Sequence, residues 1–307
     1  VISQPPKLHE TVADGAGTPP LEKRPFEYIG LLYHPRIAES QGLAAEMLEF
    51  LEGHGVSAWI GSGWDEPAVA GQAARLDMLV TLGGDGSMLR AARMASPHGI
   101  PILGVNLGRL GFLAEVEPQE WPERLRQVLA GDYWVEERMM VHAECWRDQE
   151  TLGSYEALND VVISRGSLAR VVRLPTYIDG GFLTTYTADG LIVSTATGST
   201  AYALAAGGPI VPPELKNMLL IPLAPHLSLE RAIVLSQGSM VRVKVHTDHT
   251  AILTVDGQTE VELADGDWVQ VVASPRVGRF IRLQDRAYFY ATLMQRLGFP
   301  TSEPEDI

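Results

Sequence analysis

Leu76-Asp77-Met78-Leu79-Val80-Thr81-Leu82-Gly83-Gly84-Asp85-Gly86-Ser87-Met88-Leu89-Arg90 is the stretch on which the fold turns. An apolar run of strand length enters a glycine-rich turn and leaves it in a helical pattern that continues to Met94. Glycines let a ligand approach the main chain, and the amides of a following helix N-terminus attract anions. The turn reads as a phosphate-binding loop with a carboxylate, Asp85, at its centre. It is not a Walker A loop: Gly-x4-Gly-Lys-Ser/Thr does not occur, and two of the four lysines lie in the first 25 residues. A plain strand-to-helix turn capped by Asp85 would use the same residues. A carboxylate flanked by glycines, however, suits the taking of a proton from an attacking hydroxyl or the holding of Mg²⁺.

Around this stretch, 28–33, 56–60 and 101–106 read as further strands, and 41–52 as a helix with Leu43, Met47, Leu48 and Leu51 on one face. Alternating strands and helices predict an α/β domain with a mostly parallel sheet over 26–138. From 139 to 275 the texture becomes short β-branched segments (155–164, 184–194, 232–245, 251–255, 261–263, 268–273) between Gly, Asp and Asn turns. This predicts an antiparallel β-sandwich domain. The segment 276–307 contains a helical pattern at 288–297, expected to pack back on the first domain, and 1–25, rich in Pro, Gly and Ala, reads as a flexible tail.

The 307 residues carry 24 basic and 38 acidic side chains, a net charge of −14. That field argues against a broad nucleic-acid surface, so anionic ligands must be met locally. Cys145 is the only cysteine, which excludes an intrachain disulfide and a Cys-based zinc site and fits a reducing compartment. No apolar run approaches the roughly 18–20 residues that span a bilayer, and residues 1–6 lack the charged and apolar regions of a signal peptide. A soluble, cytoplasmic protein that does not engage membranes is expected.

A second constellation runs from Thr187-Ala188-Asp189-Gly190 through Thr197-Gly198-Ser199-Thr200-Ala201-Tyr202 to Gly207-Gly208-Pro209. Hydroxyls, amides and the Tyr202 ring gather where a short helix begins near Thr200, an arrangement suited to a nucleobase, although a capped Ser/Thr loop with a core tyrosine fits as well. Asn159-Asp160 opens another strand. His246 and His249 are expected on opposite faces of a strand-like segment, at the surface, and not as a metal pair. Cys145 reads as a small core residue.

Taken together these segments resemble the NAD kinase family. The matching pieces are Gly83–Ser87, Asn106-Leu107-Gly108-Arg109-Leu110-Gly111-Phe112-Leu113, Asn159-Asp160, the 189–209 stretch, Ala224-Pro225-His226 and Val255-Asp256-Gly257-Gln258, in order from about residue 28 to 297. Gly-Gly-Asp-Gly alone is shared with phosphofructokinases and with lipid kinases; Asp189-Gly190 with Thr197–Tyr202 is the specific part. The resemblance implies a phosphofructokinase-like first domain and transfer of the γ-phosphoryl of ATP, or of polyphosphate, to the 2′-hydroxyl of the adenosine ribose of NAD, with a divalent cation such as Mg²⁺. It implies a homodimer or homotetramer.

By the same resemblance, Asp85 acts as general base and Gly86 presents its amide to the dinucleotide, while Asn159 and Asp160 bind its base and ribose groups. Asp189 holds the nicotinamide-side half. Thr200, Ala201, Tyr202 and Ala205 surround the rings, and Phe112 closes over the substrate. Arg90, Arg170 and Gln258 are further contacts to phosphate or ribose. Two positions depart from the family pattern: Thr187 stands where many relatives have arginine, and Ala196 where proline is common. Asp160 in place of the more usual glutamate is a variation the family tolerates, a carboxylate about one methylene shorter in reach. A lipid or sugar kinase sharing the glycine motif, or a catalytically silent dinucleotide sensor, are the competing readings.

Overall fold

The protein is described by a computed structural model covering residues 25–108, 111–166, 170–226 and 229–299. The tail expected over 1–25 lies outside the described residues except for Pro25, as do Arg109 and Leu110 of the 106–113 motif. The chain divides into two compact units, one of Arg138–Val277 and the other of the described residues 25–137 with 278–299.

The first unit is α/β. Strand β1 (Tyr28–Tyr33) leads to helix α1 (Ala38–Gly53), β2 (Ser57–Ser62), α2 (Glu66–Ala73), β3 (Met78–Gly83), α3 (Asp85–Ala95), β4 (Ile102–Asn106) and α4 (Trp121–Leu129). The strands pair in parallel in the order β2-β1-β3-β4. All six residues of β3 are buried, which explains why the run before the glycine turn is continuously apolar: a parallel strand covered on both faces has no polar side. Ala44, Met47 and Leu51 of α1 join Ile29, Leu31, Val80, Leu82 and Val105 in one core. The order reverses direction at β1 and β3, and ligands of such sheets bind outside the strand C-termini at that point. The Gly83-Gly84 turn lies at this end. Helices α2 and α4 were not expected. Their signals were Asp65, whose carboxylate accepts from Ala68 N at 3.1 Å, and a proline in the first turn of each.

The second unit follows in β5 (Trp134–Arg147), whose first residues belong to the first unit, β6 (Glu150–Ala157), β7 (Asp160–Arg165), β8 (Val172–Ile178), β9 (Gly181–Ala188) and β10 (Gly190–Thr195). A 3₁₀ turn (Thr197–Thr200) and the short α5 (Tyr202–Ala205) precede β11 (Asn217–Leu223), β12 (Ile233–Ser236), β13 (Val241–Lys244), β14 (Ala251–Val255), β15 (Thr259–Leu263) and β16 (Trp268–Arg282). One sheet runs β12-β11-β10-β7-β14-β15, antiparallel throughout. The facing sheet contains β16-β13-β8-β9 and the β5-β6 pair. Ile163, Leu191, Val193 and Leu253 of one sheet pack with Val141, Leu174, Tyr186 and Val243 of the other, which makes the unit a sandwich.

The outer face of the first of these sheets is also covered. Ala196, Ala203 and Val211 from the segment after β10 pack on Val162, Ile192, Leu219 and Ile221. The stretches 155–164, 184–194 and 232–245 are therefore not single strands. The first breaks at Leu158-Asn159 and the second at Asp189, where the chain passes from one sheet to the other. The third breaks at 237–240 in a turn. Periodicity alone does not mark such crossings, because β-branched residues continue through them.

The last residues of β16 return to the first unit, where Phe280 pairs in parallel with Ile102, and helix α6 (Tyr288–Arg296) follows. Arg282, 1% exposed, is the hinge of this return. Its Nε donates to Glu136 Oε2 at 2.8 Å, and its Nη1 donates to Leu113 O at 2.7 Å and lies 3.4 Å from Glu115 Oε2. Tyr288 OH donates to Glu136, and Glu115 Oε1 accepts from Leu283 N and Gln284 N at 2.9 and 2.7 Å. Replacing Arg282 with Met would leave two buried carboxylates without their cation, so urea denaturation should show a loss of about 3–5 kcal/mol.

Candidate functional site

Asp85 is the first residue of α3, after Gly84, whose extended backbone starts the helix without a side-chain cap. Its carboxylate turns across to the loop after β4. Phe112 N donates to Oδ2 at 2.7 Å, and Leu113 N and Ala114 N donate to Oδ1 at 3.0 and 3.4 Å. Gly111 is obligatory here, since a Cβ at that position would collide with the Asp85 carboxylate. The loop that grips Asp85 is the one whose Leu113 carbonyl accepts from buried Arg282. Phe112 places its ring 6.5 Å from that of Phe289, and the Arg296 guanidinium lies 5.7 Å from it. Gly86 is exposed on the first turn of α3.

In the second unit, Asn159 and Asp160 stand at the crossing between sheets. Asp256, with φ of +51°, turns its carboxylate back to this crossing and accepts from Leu158 N at 3.0 Å, Asn159 N at 2.7 Å and Asp160 N at 3.2 Å. Asp256 N in turn donates to Asp160 O at 2.9 Å. On the other side, Thr195 Oγ1 donates to Leu158 O at 2.6 Å and Ser194 Oγ to Asn159 O at 3.0 Å. Gly198 abuts Asn159 so closely that a Cβ would strike the Asn159 carbonyl. Nothing among the described residues donates to the Asp160 carboxylate. Burial, and then the neighbouring charge of Asp256, push its pKa up to about 7. A buried carboxylate without a donor is suited to accept from a ligand hydroxyl.

Asp189 forms the other crossing. Its N–H donates to Leu223 O, its carbonyl accepts from Arg165 N, and its Oδ1 lies 3.0 Å from Arg165 Nε. Asp189, Arg165, Tyr202 and Ala205, with Ser164 and 222–224, line an open cleft of about 520 Å³. Tyr202 is 49% exposed, so its ring belongs to the cleft and not to the core. Although residue 187 is threonine, Asp189 therefore has an arginine partner. Thr187 itself lies in β9 opposite Arg173, and its carbonyl accepts from His226 N at 2.7 Å. Thr200 and Ala201 lie in the turn just before Tyr202, with Ala201 N donating to Gly198 O.

The remaining expected residues lie elsewhere. Arg90 stacks over Trp64 at 4.9 Å, and exposed Arg170 pairs with Asp248 at 2.6 Å; neither is among the residues that line the cleft. Gln258 is in the β14–β15 hairpin, two residues beyond Asp256. His249 is not at the surface as expected: its side chain is 8% exposed, with Nδ1 2.9 Å from Thr247 Oγ1, and 247–250 is a bend and not a strand. His246 is exposed beside Asp265. Cys145 is in the core, its thiol pushed up to about 12 by burial first and by Asp267 and Glu144 after it. Asp256 stands in the Val255–Gln258 piece of the resemblance but carries no role there, and Arg165 is not singled out by the sequence. Asp256-Gly257 had the signature of a turn, and only the fold shows what the turn's carboxylate grips.

Replacing Asp256 with Ala removes the acceptor of three amides, and denaturant titration should report a loss of about 2–4 kcal/mol. Asp160 carries a separate pH signature. A carboxyl raised from 3.8 to about 7 favours the fold fully below pH 3.8, and that contribution is lost as pH rises through 7. Between these limits wild-type stability should fall relative to Asp160→Asn, compared by denaturant midpoints across pH; parallel profiles would count against a titrating Asp160.

Two family descriptions match this chain. The ATP-NAD kinase N-terminal domain matches residues 54–133, and the ATP-NAD kinase C-terminal domain matches residues 158–283. The NAD kinase of Chloroflexus aggregans is 43% identical over 275 residues, 89% of this chain and 99% of that protein. The NAD kinase of Heliobacterium modesticaldum is 48% identical over 224 residues, 73% of this chain and 79% of that protein. Among solved structures, a yeast NADH kinase complexed with NADH is similar with a TM-score of 0.80 at 26% identity, covering 93% of this chain and 91% of that one. An NAD kinase from Archaeoglobus fulgidus in complex with ATP has a TM-score of 0.72 at 26% identity, covering 89% of this chain and all of that one. With both domain families matched in order and relatives similar along most of its length, this chain belongs to the NAD kinase family.

Proposed function

We propose that the protein transfers the γ-phosphoryl group of ATP to the 2′-hydroxyl of the adenosine ribose of NAD, forming NADP and ADP, with Asp85 as the general base. The observation that carries the role of Asp85 is its setting: a carboxylate at the first residue of a helix, in a glycine turn at the C-terminal end of a parallel strand, fixed by three amides. A carboxylate offers about four lone-pair sites, so three amide bonds hold its orientation and leave it able to accept a substrate hydroxyl. As the proton passes to Asp85, the ribose oxygen attacks the γ-phosphorus and the bond to the ADP oxygen breaks. Positioning supplies most of the catalysis in such transfers.

Asn159 and Asp160, held by Asp256, are assigned to the hydroxyl and base groups of the dinucleotide. The cleft of Asp189, Tyr202 and Ala205 is assigned to its rings, with Thr200 and Ala201 beside it. Among the described residues no cluster of three or more His, Cys, Asp or Glu is arranged to hold a metal ion. Mg²⁺ is assigned to the donor phosphates, whose charge it would neutralise. We assign the protein to the cytoplasm as a homo-oligomer, for which exposed Ile210, Leu215 and Val234 offer apolar contact surface. Among the described residues no helix is long and apolar enough to cross a membrane.

A lipid or sugar kinase would leave the match over 158–283 and the Asp189–Tyr202 arrangement without a use. Purified protein given NAD, ATP and Mg²⁺ should yield NADP, read by an NADP-specific dehydrogenase; no product would support the silent dinucleotide sensor instead. Asp85→Asn should lower turnover by about two orders of magnitude or more while NAD binding persists, and an unchanged rate would remove the general-base role.

A further inference from the structure

The residues of the loop that grips Asp85 are not held equally. Leu113 and Ala114 are 2% and 1% exposed, so the core anchors both, and Arg282 adds its bond to the Leu113 carbonyl. Glu115 is fixed by the amides of Leu283 and Gln284. Phe112 makes the shortest of the three bonds to Asp85, at 2.7 Å, yet its side chain is only half-buried. Gly111 before it has no side chain and abuts the carboxylate. This end of the loop is therefore fixed by whatever holds the Phe112 ring.

That ring is met by two residues of α6. The Phe289 centroid lies 6.5 Å from it and the Arg296 guanidinium 5.7 Å from it, both within the range in which aromatic pairs and cation–ring contacts attract. Arg296 is the last residue of the helix and also lies 5.5 Å from the centroid of Tyr288, whose ring has Arg282 at 5.2 Å and whose hydroxyl donates to Glu136. Arg282, Tyr288, Arg296 and Phe112 thus form a continuous series of cation and ring contacts that ends at the amide bonded to Asp85. Helix α6 is otherwise held lightly. Of its nine residues only Tyr288 and Phe289 are buried, while Tyr290 and Met294 are exposed. An element with so little buried surface belongs to the less stable end of a fold. Arg296 is the contact that keeps the last turn of this helix against the loop.

We propose that Arg296 is a positioning residue for the general base: it clamps the Phe112 ring against α6, so that the Phe112 amide keeps Asp85 Oδ2 in the orientation that takes a proton from the substrate hydroxyl. This deepens the kinase reading and rests on it for the role of Asp85. Arg296 acts through Phe112 and its amide, not on the reacting atoms. Misplacement by about 1 Å, caused far from the chemistry, can cost about two orders of magnitude in rate. A single cation–ring contact on a half-exposed helix is a weaker constraint, and its loss is expected to lower turnover about tenfold.

The test is Arg296→Gln and Arg296→Lys in the full chain, each made alone and the first also combined with Asp85→Asn. In NADP formation the glutamine variant should show kcat about tenfold lower with the calorimetric affinity for NAD retained, and lysine, which keeps a cation over the ring, should restore most of the rate. In the Asp85→Asn background Arg296→Gln should lower the rate no further, because residues that act as a unit are not additive. An equal fall in both backgrounds, an unchanged kcat, or a loss confined to NAD affinity would overturn the proposal. Hydrogen exchange gives a readout independent of turnover: the amides of 112–114 should exchange faster in Arg296→Gln while those of β3 stay as in the wild type. If the wild type makes no NADP, the kinase reading fails, and exchange alone then decides: quickened exchange at 112–114 upholds the clamp, and unchanged exchange removes it.

Discussion

Arg282 holds a positive charge where almost no water reaches it, and the first unit is arranged around satisfying that charge. Glu136 and Glu115 neutralise it, the Leu113 carbonyl accepts a hydrogen bond from it, and Glu115 also accepts from the amides of Leu283 and Gln284. One ion network therefore fixes the return of the chain from β16, the attachment of α6 through Tyr288, and the loop of amides around Asp85. Burying ions is expensive, and such a network contributes less to net stability than to excluding alternative arrangements. Here the arrangement it selects holds the proposed general base in one orientation.

The same device recurs in smaller form. Asp256 grips the amides of 158–160, Asp77 those of Glu27 and Tyr28, and Asp85 those of 112–114. In each case a short acidic side chain reaches amides far away in sequence that would otherwise be unpaired, and charge-assisted bonds of this kind are stronger than neutral ones. Part of the acidic excess is thus committed to the chain's own backbone.

Much of the fold was legible in the residues. Buried parallel strands read as unbroken apolar runs, so β1, β3 and β4 and the turn at Asp85 were visible, as was the change to antiparallel segments after residue 138. The short α2 and α4 were less so, because their apolar faces are narrow and their signals are caps and prolines. The sheet crossings at Asn159 and Asp189 were hidden, since the β-branched pattern runs through them. They were singled out as functional residues without any sign that they were corners of a sandwich.

The sequence by itself determined the class of chemistry, through a carboxylate set in a glycine turn between strand and helix and an ordered set of motifs too specific to arise by turn-forming needs alone. Tertiary structure decided which side chains act on which. That Asp256 clamps Asn159 and Asp160, that Arg165 partners Asp189 where threonine stands at 187, that Tyr202 faces a cleft, and that Arg282 supports the loop around Asp85 are contacts across separations of 24 to 169 residues. Such contacts depend on how sheets cross and where chains return. Local periodicity records only which face of its own strand or helix a residue occupies.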